Sequence, residues 1–99
     1  MSTPEGKGKE KVKKVFQKRG IYYHMPVQNG MGKPTLDFIA CANGKFVAVE
    51  TKAPGKKPTA RQEVTMAEMR VAGAFVFVVS CDAEVEELDA FMAILATSN

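Results

Sequence analysis

The sequence has little cysteine, no tryptophan and no long apolar run. Its two cysteines, Cys41 and Cys81, are too few for a zinc site or a disulfide framework, so we expect buried thiols in a reducing cytoplasm. No apolar stretch approaches the roughly 20 residues that cross a bilayer. The first 14 residues are polar and lysine-rich and lack the apolar segment of a secretory signal. We therefore expect a cytoplasmic protein without a membrane anchor.

What the sequence does have is an uneven distribution of charge. The chain of 99 residues suits one domain, residues 1–99, with a net charge of only +3. Residues 1–20 hold seven basic and two acidic side chains, whereas residues 81–99 hold five acidic and no basic ones. Such asymmetry favours a positive surface that faces a polyanion. A solvated lysine face that serves solubility explains the charge equally well.

Periodicity and capping signals predict seven elements in the order α-β-β-β-α-β-α, an α/β fold with helices on both faces of one mixed sheet. The predicted elements are a helix from Ser2 or Thr3 to Gly20, a strand over 21–27, a hairpin of strands 36–42 and 45–52, a helix from Thr59 to Gly73, a strand over 74–80 and a last helix capped by Asp82. Two loops join them, the glycine-rich loop 28–34 and the basic loop 53–58.

The hairpin yields the sharpest inference about chemistry. Asn43-Gly44 between two β-prone runs predicts a two-residue turn, which places residues whose numbers sum to 87 opposite each other. Asp37 and Glu50 form such a pair, with Cβ atoms expected about 4.5–5.5 Å apart on one face. Two facing carboxylates repel each other, and partial burial increases the repulsion. A divalent cation, which prefers oxygen ligands, relieves it.

Lys52 lies two residues after Glu50 and so points to the same face of the sheet. A lysine in that place can hold an attacking water or offset the charge that builds on a phosphate in the transition state. Asp37, Glu50 and Lys52 together predict a site that hydrolyses phosphodiester bonds. The alternative is that the two acids are exposed at strand ends, with Lys52 as a salt-bridge partner.

The segment LDFIACANGKFVAVETKAPGKKPTARQ, residues 36–62, resembles the core of the PD-(D/E)xK nucleases. It is most similar to the virus-type replication-repair nuclease (VRR-nuc) domain in its stand-alone phage and bacterial form. The resemblance implies a restriction-endonuclease-like fold and an endonuclease that cuts DNA with Mg²⁺ or Mn²⁺ in the cytoplasm of a bacterial or phage-infected cell. Two positions depart from the family's pattern: Leu36 stands where proline is usual, and Gly8 where an apolar residue is preferred.

The resemblance also implies roles for single residues. Asp37 and Glu50 would be metal ligands, and Thr51 would lend its backbone carbonyl. Lys52 would be the catalytic lysine, and Gln62 would support the site or touch the substrate. Glu5, fifteen residues before the glycine that ends the first helix, matches a further metal ligand of the family. A capping box with Ser2 explains Glu5 equally well.

For partners, the resemblance implies branched DNA. The expectation is a structure-selective endonuclease that resolves four-way (Holliday) junctions as a homodimer. We expect the two subunits to contact each other through the apolar face of the last helix or of the second. Lys33, Lys56 and Lys57, in the two loops that flank the site, are candidate phosphate contacts, with plain surface loops as the alternative. The other functions that stay open are a nuclease that nicks flaps or single strands, and a non-catalytic module that only binds nucleic acid.

Overall fold

The computed structural model describes residues 3–28 and 30–97. Its elements confirm the predicted order and are α1 Pro4–Lys18, β1 Tyr22–His24, β2 Phe38–Ala42, β3 Lys45–Thr51, α2 Ala60–Val71, β4 Phe75–Val79 and α3 Asp82–Thr97. Within these ranges no helix combines the length and the apolar character that a membrane span requires.

Helix α1 begins and ends where its capping residues predict. Thr3 is the N-cap, and its Oγ1 accepts a hydrogen bond from the Gly6 N–H at 2.9 Å. The helix ends at Lys18 with Arg19 as its C-cap, and the next residue is Gly20, whose φ of +67° lies in the left-handed region that glycine adopts without strain. The predicted apolar stripe (Val12, Val15 and Phe16) is buried. The alternative N-cap, Ser2, lies outside the described residues.

The sheet has the strand order β1-β2-β3-β4, with antiparallel pairs β1–β2 and β2–β3 and a parallel pair β3–β4. Asn43 and Gly44 have φ of 53° and 81°, the two positive values that a type I′ turn needs. The β2–β3 pairs, from Phe38 with Val49 to Ala42 with Lys45, all follow the predicted register. The turn therefore fixes which side chains meet across the hairpin.

The helices lie on both faces of this sheet. Helices α1 and α3 cover one face, where Phe16 and Met92 pack against Phe38 and Val47. Helix α2 covers the other face, where Met66 packs against Leu36 and Ala48. Because side chains alternate along a strand, Glu50 follows Ala48 to the α2 face.

Four details differ from the sequence-based expectation. The first strand spans only Tyr22–His24 rather than residues 21–27, because its pairing with β2 stops two residues before Pro26, which has no N–H to donate. Strand β4 is half-buried over residues 75–78 rather than fully buried, because it is an edge strand of the sheet. Both cysteines are exposed rather than buried. Cys41 alternates with the buried Ala40 and Ala42, and therefore points to the opposite face beside the half-exposed Phe46. Cys81 lies in the connection between β4 and α3, and Asp82 is the first residue of α3 rather than its cap.

Candidate active site

Three acidic side chains from different elements converge at one end of the sheet. Glu5 lies in the first turn of α1, Asp37 immediately precedes β2, and Glu50 is the penultimate residue of β3. One carboxylate oxygen from each lies within 4.8 Å of the other two. We call these three residues the acidic cluster. The structure thus brings together the two carboxylates that the hairpin register places opposite each other, and adds Glu5 from the first helix.

Asp37 is held by its neighbours on both sides. The Thr51 N–H and Oγ1–H both donate to Asp37 Oδ2, at 2.9 and 2.7 Å. The Asp37 N–H donates to Glu50 Oε1 at 3.2 Å. Thr51 therefore contributes a fully buried hydroxyl that sequence reasoning did not single out. The metal-binding role of its backbone carbonyl stays a prediction.

Gln62 connects α2 to the acidic cluster. Its Nε2 donates to Glu50 Oε2 at 2.8 Å. The same side chain completes the predicted capping box, because its Oε1 accepts from the Thr59 N–H at 3.0 Å while its own N–H donates to Thr59 Oγ1 at 3.2 Å. The start of α2 therefore fixes the carboxamide that orients Glu50.

Two lysines lie against the acidic cluster. Lys52 follows β3, and its Nζ is 3.6 Å from Glu50 Oε2 with only 15% of its side chain exposed. Lys9 Nζ is 3.8 Å from Asp37 Oδ1. Lys52 stands where its spacing from Glu50 predicts. Lys9 was not singled out from the sequence, although its position four residues after Glu5 places both on one side of α1.

Burial makes the ionised form of Glu50 unfavourable. Glu50 is only 3% exposed, and this burial is the main reason that its pKa is raised. The charge of Asp37 raises the pKa of Glu50 further, and Lys52 offsets only part of the effect. A divalent cation would offset the rest, and three carboxylates with oxygens this close are ligands that Mg²⁺ and Mn²⁺ accept. The residues present therefore fit the implied metal.

The lysines of the flanking loops lie outside the acidic cluster. Lys33 Nζ pairs with Glu68 Oε2 at 2.8 Å, and this partner raises the pKa of Lys33. Lys56 and Lys57 are exposed in the basic loop, and no ion pair involves them within residues 3–28 and 30–97. A role for these three lysines in binding DNA stays a prediction.

Two clefts adjoin the site residues. The Gln62 cleft, about 330 Å³, lies between residues 27–28 and 30–35 and the start of α2, and is lined there by Thr59, Arg61, Gln62 and Thr65. The Lys52 cleft, about 340 Å³, lies between the first turns of α1 and the junction of β4 with α3, and is lined by Lys52. Gln62 and Lys52 both contact Glu50. Each cleft is therefore lined by one residue that contacts Glu50.

Similarity to known proteins is visible in structure rather than in sequence. No protein-family model matches the chain, and no match was found among curated proteins. A solved structure described as "VRR_NUC domain" superposes with a TM-score of 0.77 at 27% sequence identity, covering 88% of this chain and 95% of that chain. This similarity extends over nearly the whole fold and supports both the predicted restriction-endonuclease-like architecture and the predicted family.

Proposed function

We infer that this chain is a VRR-nuc domain and hence a nuclease-family domain that acts on nucleic acid. On that premise, we propose that it is a Mg²⁺- or Mn²⁺-dependent endonuclease that hydrolyses phosphodiester bonds in DNA. The observation that carries the proposal is the acidic cluster. A buried carboxylate, Glu50, has two further carboxylates within 4.8 Å and a lysine at 3.6 Å. An arrangement of this kind costs stability unless a cation binds there.

In this proposal Glu5, Asp37 and Glu50 would hold the cation, together with the Thr51 carbonyl. The cation would supply Lewis acidity toward the phosphoryl oxygen and the attacking water. Lys52 positions the water and offsets the charge that develops on the phosphate. Gln62 keeps the carboxylate of Glu50 in place through its hydrogen bond, and Thr51 does the same for Asp37.

The test is a panel of labelled linear, flapped, single-stranded and four-way-junction DNAs, incubated with Mg²⁺, with Mn²⁺ or with chelator. We expect cutting only with metal, and loss of cutting with retained DNA binding in Asp37→Asn and Lys52→Ala. Lys45→Ala removes a lysine from the far end of the hairpin and serves as the matched control. Normal cutting by both site variants would refute the site. Binding without cutting in either metal would leave a nucleic-acid-binding module.

The finer proposal is a homodimer that resolves four-way junctions, since symmetric incision needs two sites and a two-fold dimer supplies them. The predicted apolar face of α3 is used within the chain itself, because Leu88, Met92 and Leu95 are buried in the core. Helix α2 instead leaves Val64 and Val71 59% and 90% exposed, two helical turns apart on one face. This exposed apolar face supports α2 as the subunit contact.

Sedimentation velocity tests the dimer. We expect a dimer at micromolar concentration and a monomer for Val71→Glu, which places a charge in the proposed contact. Glu63→Gln alters the first turn of the same helix and serves as a control. A wild-type monomer at micromolar concentration would contradict the dimer. In the DNA panel, nicking of flaps or single strands in preference to junctions would contradict junction resolution and would still support nuclease activity.

A further inference from the structure

Gly8 has no role in the fold that another residue could not fill. It lies inside α1, where glycine is less favourable than alanine because it loses more backbone freedom on folding. Its φ is not among the positive values that require glycine. Apart from its two chain neighbours and the backbone of its own helix, a Cβ atom built on Gly8 would meet no atom of the described residues within 4 Å. The chain therefore keeps a destabilising residue at a place where its own packing leaves free space.

That free space belongs to the Lys52 cleft. Gly8 lines the cleft together with Lys7 and Lys11, which lie on the same side of α1. Ser80 and Cys81 form the opposite wall, and Lys52 connects the cleft to Glu50 of the acidic cluster. The volume of about 340 Å³ lies in the range of small-ligand sites.

The charge of the cleft suits an anion. Among the described residues, the lining includes three lysines, namely Lys7, Lys11 and Lys52, and one acid, Asp82, which forms an ion pair with Lys11. Lys7 is exposed and has no ion-pair partner in the part of the chain that the structure describes. Lysine side chains of this kind bind phosphate as point charges.

We propose that the Lys52 cleft is the subsite for the nucleotide next to the scissile phosphate, and that Gly8 keeps this subsite open. Lys7 and Lys11 bind the phosphate of that nucleotide, and its sugar occupies the space above Gly8. The inference rests on the proposed nuclease function and adds to it a named place for the substrate strand. It gives a physical reason for a glycine in the middle of a helix.

The first test is Gly8→Ala, which acts on stability and on binding in opposite directions. The variant should melt about 4–8 °C higher, because alanine favours the helix. Its affinity for DNA should fall roughly tenfold, because the added methyl group fills space that the strand needs. Affinity is measured in the Asp37→Asn background, where the DNA stays intact. Lys7→Gln should also weaken binding more than Lys13→Gln, a change of the same charge on the same helix outside the cleft.

The second test uses the two native cysteines. Both are exposed, but Cys81 lines the Lys52 cleft, whereas Cys41 lies four residues along β2 from Asp37. Saturating DNA should slow the alkylation of Cys81 by iodoacetamide and leave that of Cys41 unchanged, as read by mass spectrometry. Equal alkylation rates for Cys81 with and without DNA, or an unchanged affinity of Gly8→Ala for DNA, would overturn the subsite. In that case cutting by the wild type would still support the proposed nuclease function. A wild-type chain that neither binds nor cuts DNA would overturn both.

Discussion

Asp37→Asn tests whether the acidic cluster is a metal site or a structural feature. The substitution keeps an oxygen that can accept both hydrogen bonds from Thr51. It removes one of the two carboxylates, those of Glu5 and Asp37, that lie close to the buried carboxylate of Glu50. We therefore expect the variant to be more stable than the wild type when no metal is present.

The magnitude follows from the geometry. Relief of a like-charge pair directly across two strands contributes about 1 kcal/mol, which raises the melting temperature of a domain this small by about 4–8 °C. The lost contact with Lys9, at 3.8 Å and partly exposed, offsets little of this gain. With metal the order of stability reverses. Metal binding raises the free energy of unfolding of the wild type by about 2.7 kcal/mol at a metal concentration one hundred times the Kd of its site. The variant lacks a ligand and gains far less.

Thermal melts in chelator and in Mg²⁺ measure both effects in one experiment. Glu63→Gln, which neutralises an exposed acid in the first turn of α2, is the control and should respond to Mg²⁺ as the wild type does. Two results would contradict a metal site at the acidic cluster. One is a variant that is less stable than the wild type in chelator, and the other is a variant that gains as much from Mg²⁺ as the wild type.

Two further predictions test residues that contact the acidic cluster, and a third tests a carboxylate in the first turn of α3. Gln62→Ala removes the capping partner of α2 and the donor to the buried carboxylate of Glu50. The free energy of unfolding should therefore fall by about 1 kcal/mol, which lowers the melting temperature by about 4–8 °C, and cutting should slow in kinetic assays. Thr51→Val removes one of two donors to Asp37 and should cost about 1 kcal/mol in denaturant unfolding, together with a lower cutting rate. The Ser80 hydroxyl and N–H lower the pKa of Glu84, so this carboxylate contributes stability above its unfolded pKa that is lost as the pH falls. Glu84→Gln should therefore lower stability at neutral pH and flatten the acid side of a stability–pH profile from melts.

Local signals made much of the site predictable. The Asn43-Gly44 turn has one favoured geometry, so the register of the hairpin, and with it the pairing of Asp37 with Glu50, followed from the sequence. Gln62 stands three residues after the helix cap Thr59, a spacing that identified the start of α2. Both signals act over a few residues, where backbone geometry alone decides the outcome.

Features that depend on distant contacts were not predictable in this way. Lys9 reaches Asp37 only because α1 packs across the end of the sheet. The exposure of Cys41 depends on how far α2 extends over the face of the sheet to which Cys41 points. The half-burial of β4 depends on its position at the edge of the sheet. A sequence pattern gives the face on which a side chain lies, but only packing decides whether that face is covered.

A Mn²⁺ titration of the intact chain, followed by the loss of the free-ion paramagnetic resonance signal, tests directly whether the acidic cluster binds a metal ion. We expect about one tightly bound ion per chain, held by Glu5, Asp37 and Glu50, and loss of that binding in Asp37→Asn. No bound ion in the wild type, or unchanged binding in the variant, would contradict the claim that these three carboxylates form a metal site.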